Sequence, residues 1–140
     1  MPFYKDALET LVSLHQNPYI LGFAGVVLFD WITGITKALF WKVADSQVGK
    51  KGIARHTLTL LAILFVWVVC NFLQSPAIAM MVTFMYGANY LLSILENFGV
   101  IGIYVPAFLE ARVNEEKKRY EKLLEQALGS KKDKGENKDD

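Results

Sequence analysis

Residues 19–41 read YILGFAGVVLFDWITGITKALFW, from Tyr19 to Trp41. A helix of 23 residues, rising about 1.5 Å per residue, reaches past a hydrocarbon core about 30 Å thick. Eleven of its residues are Leu, Ile, Val or Phe, together worth roughly −3 to −6 kcal/mol for insertion. Asp30, at the centre, returns about +2.5 to +3.5 kcal/mol of that. The span is marginal alone and needs neighbours that give Asp30 something other than lipid to face. An ionisable group at that depth is a functional hypothesis in itself.

The rest of the chain agrees with a membrane setting. Of its 140 residues, 53% are hydrophobic, and the charges lie mostly outside three apolar stretches, the pattern of an all-α membrane protein. The net charge of +1 gives no argument for nucleic acid. A single cysteine, Cys70, excludes an intrachain disulfide and a cysteine-rich metal site. Residues 1–18 lack the basic leader, apolar core and cleavage site of a signal peptide, so the first span is expected to be retained.

In chain order, residues 1–18 form an N-terminal amphipathic segment, with Tyr4, Ala7, Leu8, Leu11, Val12 and His15 on one face of a helix over 3–15, suited to a membrane interface. Asn17 and Pro18 start the next helix. Residues 19–105 form the membrane domain, with spans at about 19–41, 57–74 and 77–95. In the first span Asp30, Thr33, Gly34, Lys37 and Trp41 share one face. Gly34 and Ala38 make a small-xxx-small pair for close helix packing. Lys37 is placed to snorkel to the near interface. Residues 42–56 read as a polar connection carrying Lys42, Lys50, Lys51 and Arg55, which set topology and contact anionic lipid.

The second span has a wetter edge at Trp67, Cys70, Asn71 and Gln74. Ser75 and Pro76 then cap a third span after a tight hairpin turn. Tyr86, Asn89, Tyr90, Ser93, Glu96 and Asn97 form the third span's polar stripe. Phe98 to Val105 is expected as a loop, too short to cross. Residues 106–140 are expected as a charged cytoplasmic helix, with Glu115 paired to Lys118 and Arg119, stopped by Gly129 before a disordered tail. Basic residues are dense in the first loop and after residue 112, and the hairpin turn has none. They predict the N-terminus outside and the C-terminus inside.

No enzyme signature is present: the two histidines are far apart, and there is no HExxH, GxSxG or phosphate loop. Nothing implies a cofactor or metal. The basic segments lack the interleaved aromatics of a nucleic-acid groove.

Three blocks carry a family resemblance. Asp30-Trp31-Ile32-Thr33-Gly34-Ile35-Thr36-Lys37-Ala38, Gly52-Ile53-Ala54-Arg55 and Tyr90-Leu91-Leu92-Ser93-Ile94-Leu95-Glu96-Asn97 resemble the phage lysis and toxin-secretion holins, over about residues 25–110. Tyr90 stands where that family commonly has a glutamate. The resemblance implies a small three-span bacterial membrane protein, usually phage-encoded. Such proteins accumulate in the cytoplasmic membrane and open holes that release an endolysin or a toxin.

From the residues alone, three short spans with one polar edge each cannot enclose a watery path in a single copy. Homo-oligomers that turn those edges inward can. The candidate inter-subunit or pore face is Asp30, Thr33, Lys37, Asn71, Asn89, Tyr90, Ser93, Glu96 and Asn97. Two other readings stand beside it: a small oligomeric ion or proton channel or transporter with Asp30 as its site, and a non-conducting, antiholin-like inhibitor.

Overall fold

Each helix boundary has a local cause. In the computed structural model, which describes residues 2–42 and 46–136, the elements are α1 (Pro2–Leu14), α2 (Pro18–Phe40), α3 (Ser46–Phe72), α4 (Pro76–Ile101) and α5 (Ala107–Glu136). Asn17 caps α2, its Oδ1 accepting from the backbone N–H of Tyr19 at 2.9 Å and of Ile20 at 3.4 Å. Pro18 follows at the first helical position, where its missing donor costs nothing. α4 also opens on a proline, but the expected Ser75 cap bond is not made. The Ser75 hydroxyl donates instead to the Leu73 carbonyl at 3.2 Å. α4 ends where Gly102 turns left-handed, φ 93°. There the N–H of Ile103 donates to the Phe98 carbonyl at 2.9 Å, a glycine-terminated helix end.

Three helices, Pro18–Phe40, Gly49–Phe72 and Pro76–Ile101, are long and apolar enough to cross a membrane. α2 and α4 lie side by side and run the same way: Tyr19 meets Phe84, Phe23 meets Tyr90, and Asp30 meets Asn97. α3 runs opposite to both. The shared core contains Ile20, Phe23 and Val27 of α2, Ile63 and Trp67 of α3, and Ala79 and Tyr90 of α4, with Leu14 of α1 beneath it.

Several boundaries differ from the sequence reading. The polar connection expected over 42–56 is helical from Ser46, so Lys50, Lys51 and Arg55 stand on the first turns of α3; residues 43–45 lie outside the described residues. Gly49 and Gly52 each weaken a helix by only about 1 kcal/mol, and the Lys, Ile, Ala and Arg around them are adequate helix formers. The third span continues past residue 95 to Ile101, which leaves only 102–106 as a linker. Gly129 does not stop α5, which runs on to Glu136; the last residues of the expected tail, 137–140, lie outside the described part. A single glycine inside a long helix, at about 1 kcal/mol, costs too little to end it. Within α5 the ion pairs also differ, with Arg112 on Glu115 and Glu116 at 3.3 Å each, and Arg119 on Glu116 at 3.6 Å.

α5 does not project away from the bundle. It folds back along α4, its Tyr120 ring stacked on Phe84 with centroids 4.9 Å apart. Its half-buried edge is Val113, Tyr120, Leu124 and Ala127. Between residues 107 and 129 it carries ten Asp, Glu, Lys or Arg side chains, each costing about 2.5 to 3.5 kcal/mol at a bilayer centre. Its outer face is therefore incompatible with hydrocarbon.

Candidate functional site

The first polar group to place is Asp30, halfway along α2 and buried. Buried charges need partners, and three helices supply them. From α4, Asn97 Nδ2 donates to Asp30 Oδ1 at 3.4 Å and to Thr33 Oγ1 at 3.1 Å. Thr33, one turn after Asp30, donates its hydroxyl to the Asp30 carbonyl at 2.9 Å. From α3, His56 Nε2 lies 3.9 Å from Asp30 Oδ2. The other ring nitrogen of His56 lies 3.2 Å from the Tyr90 hydroxyl of α4. Asp30, Thr33, His56, Tyr90 and Asn97 thus form one buried polar cluster. Among the described residues no buried side-chain N or O lacks a hydrogen-bond partner.

The level of this cluster follows from α3. His56 is about 9 Å along the axis from Lys50 and about 24 Å from Phe72. The cluster therefore runs from the middle of the bundle, at Asp30 and Tyr90, toward the basic end, at His56 and Asn97. At that same end the Trp41 indole N–H donates to the Val100 carbonyl at 3.1 Å, tying α2 to the end of α4.

Of the candidate residues, Asp30, Thr33, Tyr90 and Asn97 come together. The face shared by Asp30, Thr33 and Gly34 is turned onto α4 of the same chain, so Asp30 finds its partners without a second copy. The stripe on α4 splits in two. Tyr90 and Asn97, seven apart, face inward, while Asn89 and Glu96, also seven apart, are exposed and Ser93 is half-buried. Lys37, Asn71 and Ala38 are half-buried, and Lys42, Lys50, Lys51 and Arg55 are exposed near the basic end. Gly34 lies beside Asn97, but a Cβ there would meet Asn97 Nδ2 at 3.9 Å, an ordinary contact. Close packing at Gly34 is looser than a small-residue pair suggests.

His56 is the residue that sequence reasoning missed, because it ended the stretch taken for a loop. A signal was available: His56, Ile63, Trp67 and Cys70, at i, i+7, i+11 and i+14, are all buried and mark one helical face. A second polar contact follows that face toward the hairpin end, where the Trp67 indole N–H donates to Thr83 Oγ1 at 2.9 Å. Thr83 in turn donates to the Ala79 carbonyl at 2.7 Å. Tyr19 stacks on Trp67 with centroids 5.9 Å apart.

Chemically, the cluster joins three spans by polar contacts. It is a fastening between helices. Comparison with known proteins adds a lineage. Residues 10–118 match the bacteriophage holin family. The chain is also similar to an uncharacterized protein of Clostridium perfringens (strain 13 / Type A), 28% identical over 91 residues that make up 64% of this chain and 67% of the other. No solved structure matches.

Proposed function

The chain belongs to the bacteriophage holin family, and from that premise we propose that copies of it associate in a bacterial cytoplasmic membrane and open lesions that release a cell-wall hydrolase or a toxin. One observation carries this reading. Only 28%, 22% and 22% of the residues in the most apolar stretches of the three spans are buried within the chain, so a single copy leaves broad apolar faces open to lipid or to further copies. Association is the means by which such a chain can build an opening. The buried cluster around Asp30 supports it by holding each copy together as a preformed unit. Membrane lipids and further copies are the direct partners; the hydrolase or toxin is a functional one.

The orientation that fits is N-terminus outside and C-terminus inside, since Lys42, Lys50, Lys51, Arg55 and the basic residues beyond 112 then face the cytoplasm. An impermeant thiol reagent added before growth arrest to intact cells carrying Ser13→Cys or Ser130→Cys, each with Cys70→Ser, checks this: labelling at Ser13→Cys only is expected. Labelling at Ser130→Cys alone reverses the topology.

The functional test is induced expression in a bacterium together with a cytoplasmic cell-wall hydrolase. The expected result is normal growth, then abrupt arrest with the hydrolase released. The Asp30–His56 pair favours a second reading, a proton or cation path of fixed stoichiometry, which would give graded ion flux without protein release. Harmless accumulation would exclude both and leave the inhibitor role.

A further inference from the structure

The sides of this bundle differ in what they can touch. α2 and α3 present Leu21, Leu28, Ile32, Leu58, Leu61 and Phe65, all exposed and suited to lipid. On the other side of α4 stands α5, whose outward face carries Glu115, Lys118, Arg119, Lys122 and Glu125, all exposed. Charges of both signs alternate along it. α5 nevertheless lies at the depth of the spans, because Tyr120 stacks on Phe84 within the membrane-crossing part of α4. At 30 residues it is about 45 Å long, enough to line a path through a bilayer. Such a face has to meet water wherever α5 is packed in this way.

The buried polar cluster of the spans cannot provide that watery wall, and the exposed Asn89 and Glu96 are too few to line one. Asp30, Thr33, Tyr90 and Asn97 are turned inward and bonded to one another. A dispersed copy in a bilayer has no water beside α4, so α5 cannot lie there. The linker after Gly102 has no helical structure over 103–106 and lets α5 pivot. A groove of about 490 Å³ remains between α5 and the α2–α4 pair, bordered by Arg112 and Glu116 above Gly22 and Gly87, so the seat is only partly filled.

We propose that α5 packed on α4 is the water-facing wall of the assembled lesion. Copies turn α5 inward and α2 and α3 outward, whereas in dispersed copies α5 stands in the aqueous phase at the basic end. This rests on the lesion-forming reading above.

The test uses the full chain in vesicles of phosphatidylethanolamine and phosphatidylglycerol loaded with a small fluorescent dye. In a Cys70→Ser background, Phe84→Cys and Tyr120→Cys are bridged by a short bifunctional thiol reagent, which holds α5 on α4. Bridged protein is expected to release dye. The triple variant Glu115→Leu/Lys118→Leu/Lys122→Leu, at equal protein in the vesicles, is expected to release about tenfold less, because the wall no longer accepts water. Silence of the bridged protein, where the unbridged pair releases dye, overturns the inference. So does parent-like release by the triple Leu variant, which decides the matter if the cysteine pair does not assemble. No release by the parent chain removes the lesion-forming reading itself.

Discussion

The two ends of the three-span bundle are fastened by different chemistry. From the middle toward the basic end, Asp30, Thr33, His56, Tyr90 and Asn97 hold α2, α3 and α4 through polar contacts of 3.1 to 3.9 Å. At the hairpin end, Tyr19, Trp67 and Phe84 meet ring on ring, with one indole bond to Thr83. The aromatic fastening degrades gradually, since losing one ring leaves the others in contact. The polar fastening is all-or-none at each member, because removing one partner strands another in a place without water. It is the more specific of the two and the more fragile.

Breaking the polar end is expected to have the largest effect. Asn97→Leu removes both bonds from Nδ2 and leaves the Asp30 carboxyl with His56 at 3.9 Å. A loss of about 2 to 3 kcal/mol in unfolding of the purified protein in mixed detergent micelles is expected. The double variant Asp30→Leu/Asn97→Leu sharpens the point. With both partners apolar the Asp30 carboxyl is no longer stranded, although His56 Nε2 and Thr33 Oγ1 each lose a neighbour. Part of the loss should therefore return, giving a coupling of about 1 to 2 kcal/mol in a double-mutant cycle. Additive losses would show that Asp30 and Asn97 do not depend on each other.

At the hairpin end, Trp67→Phe keeps a ring beside Tyr19 and deletes the indole donor, while Thr83 keeps its bond to Ala79. The expected loss is about 0.6 to 1 kcal/mol in the same titration. A loss matching that of Asn97→Leu would erase the distinction between the two ends. The smallest effect is expected at Gly34→Ala. The added Cβ finds ordinary contact at 3.9 Å and alanine favours the helix, so stability should hold or rise by up to about 1 kcal/mol. Marked destabilisation there would mean that α2 and α4 approach more closely than their contacts indicate.

The sequence made some of this legible. The three spans, the start of α2 at Asn17 and Pro18, and the apolar edge of α5 at Val113, Tyr120, Leu124 and Ala127 follow from length, hydrophobicity and spacing. Those properties belong to each segment alone. Asp30 and Thr33 were visible as a shared face for the same reason. Boundaries at glycines were less legible, as Gly49, Gly52 and Gly129 show, because a cost near 1 kcal/mol each is readily offset by neighbours.

Tertiary structure decided which polar edges meet. On α4 the pairs Asn89/Glu96 and Tyr90/Asn97 differ by one residue, about 100° around the helix. Periodicity treats them as one broad stripe, and only the placement of α2 and α3 chooses Tyr90 and Asn97. His56 enters the cluster because α3 begins eleven residues earlier than its apolar stretch and runs opposite to α2, which brings it level with Asp30. α5 is the extreme case. Its composition determines that its outer face needs water, and its packing on α4 sets the depth at which that water has to be, since hydration is a property of the segment and position is a property of the fold.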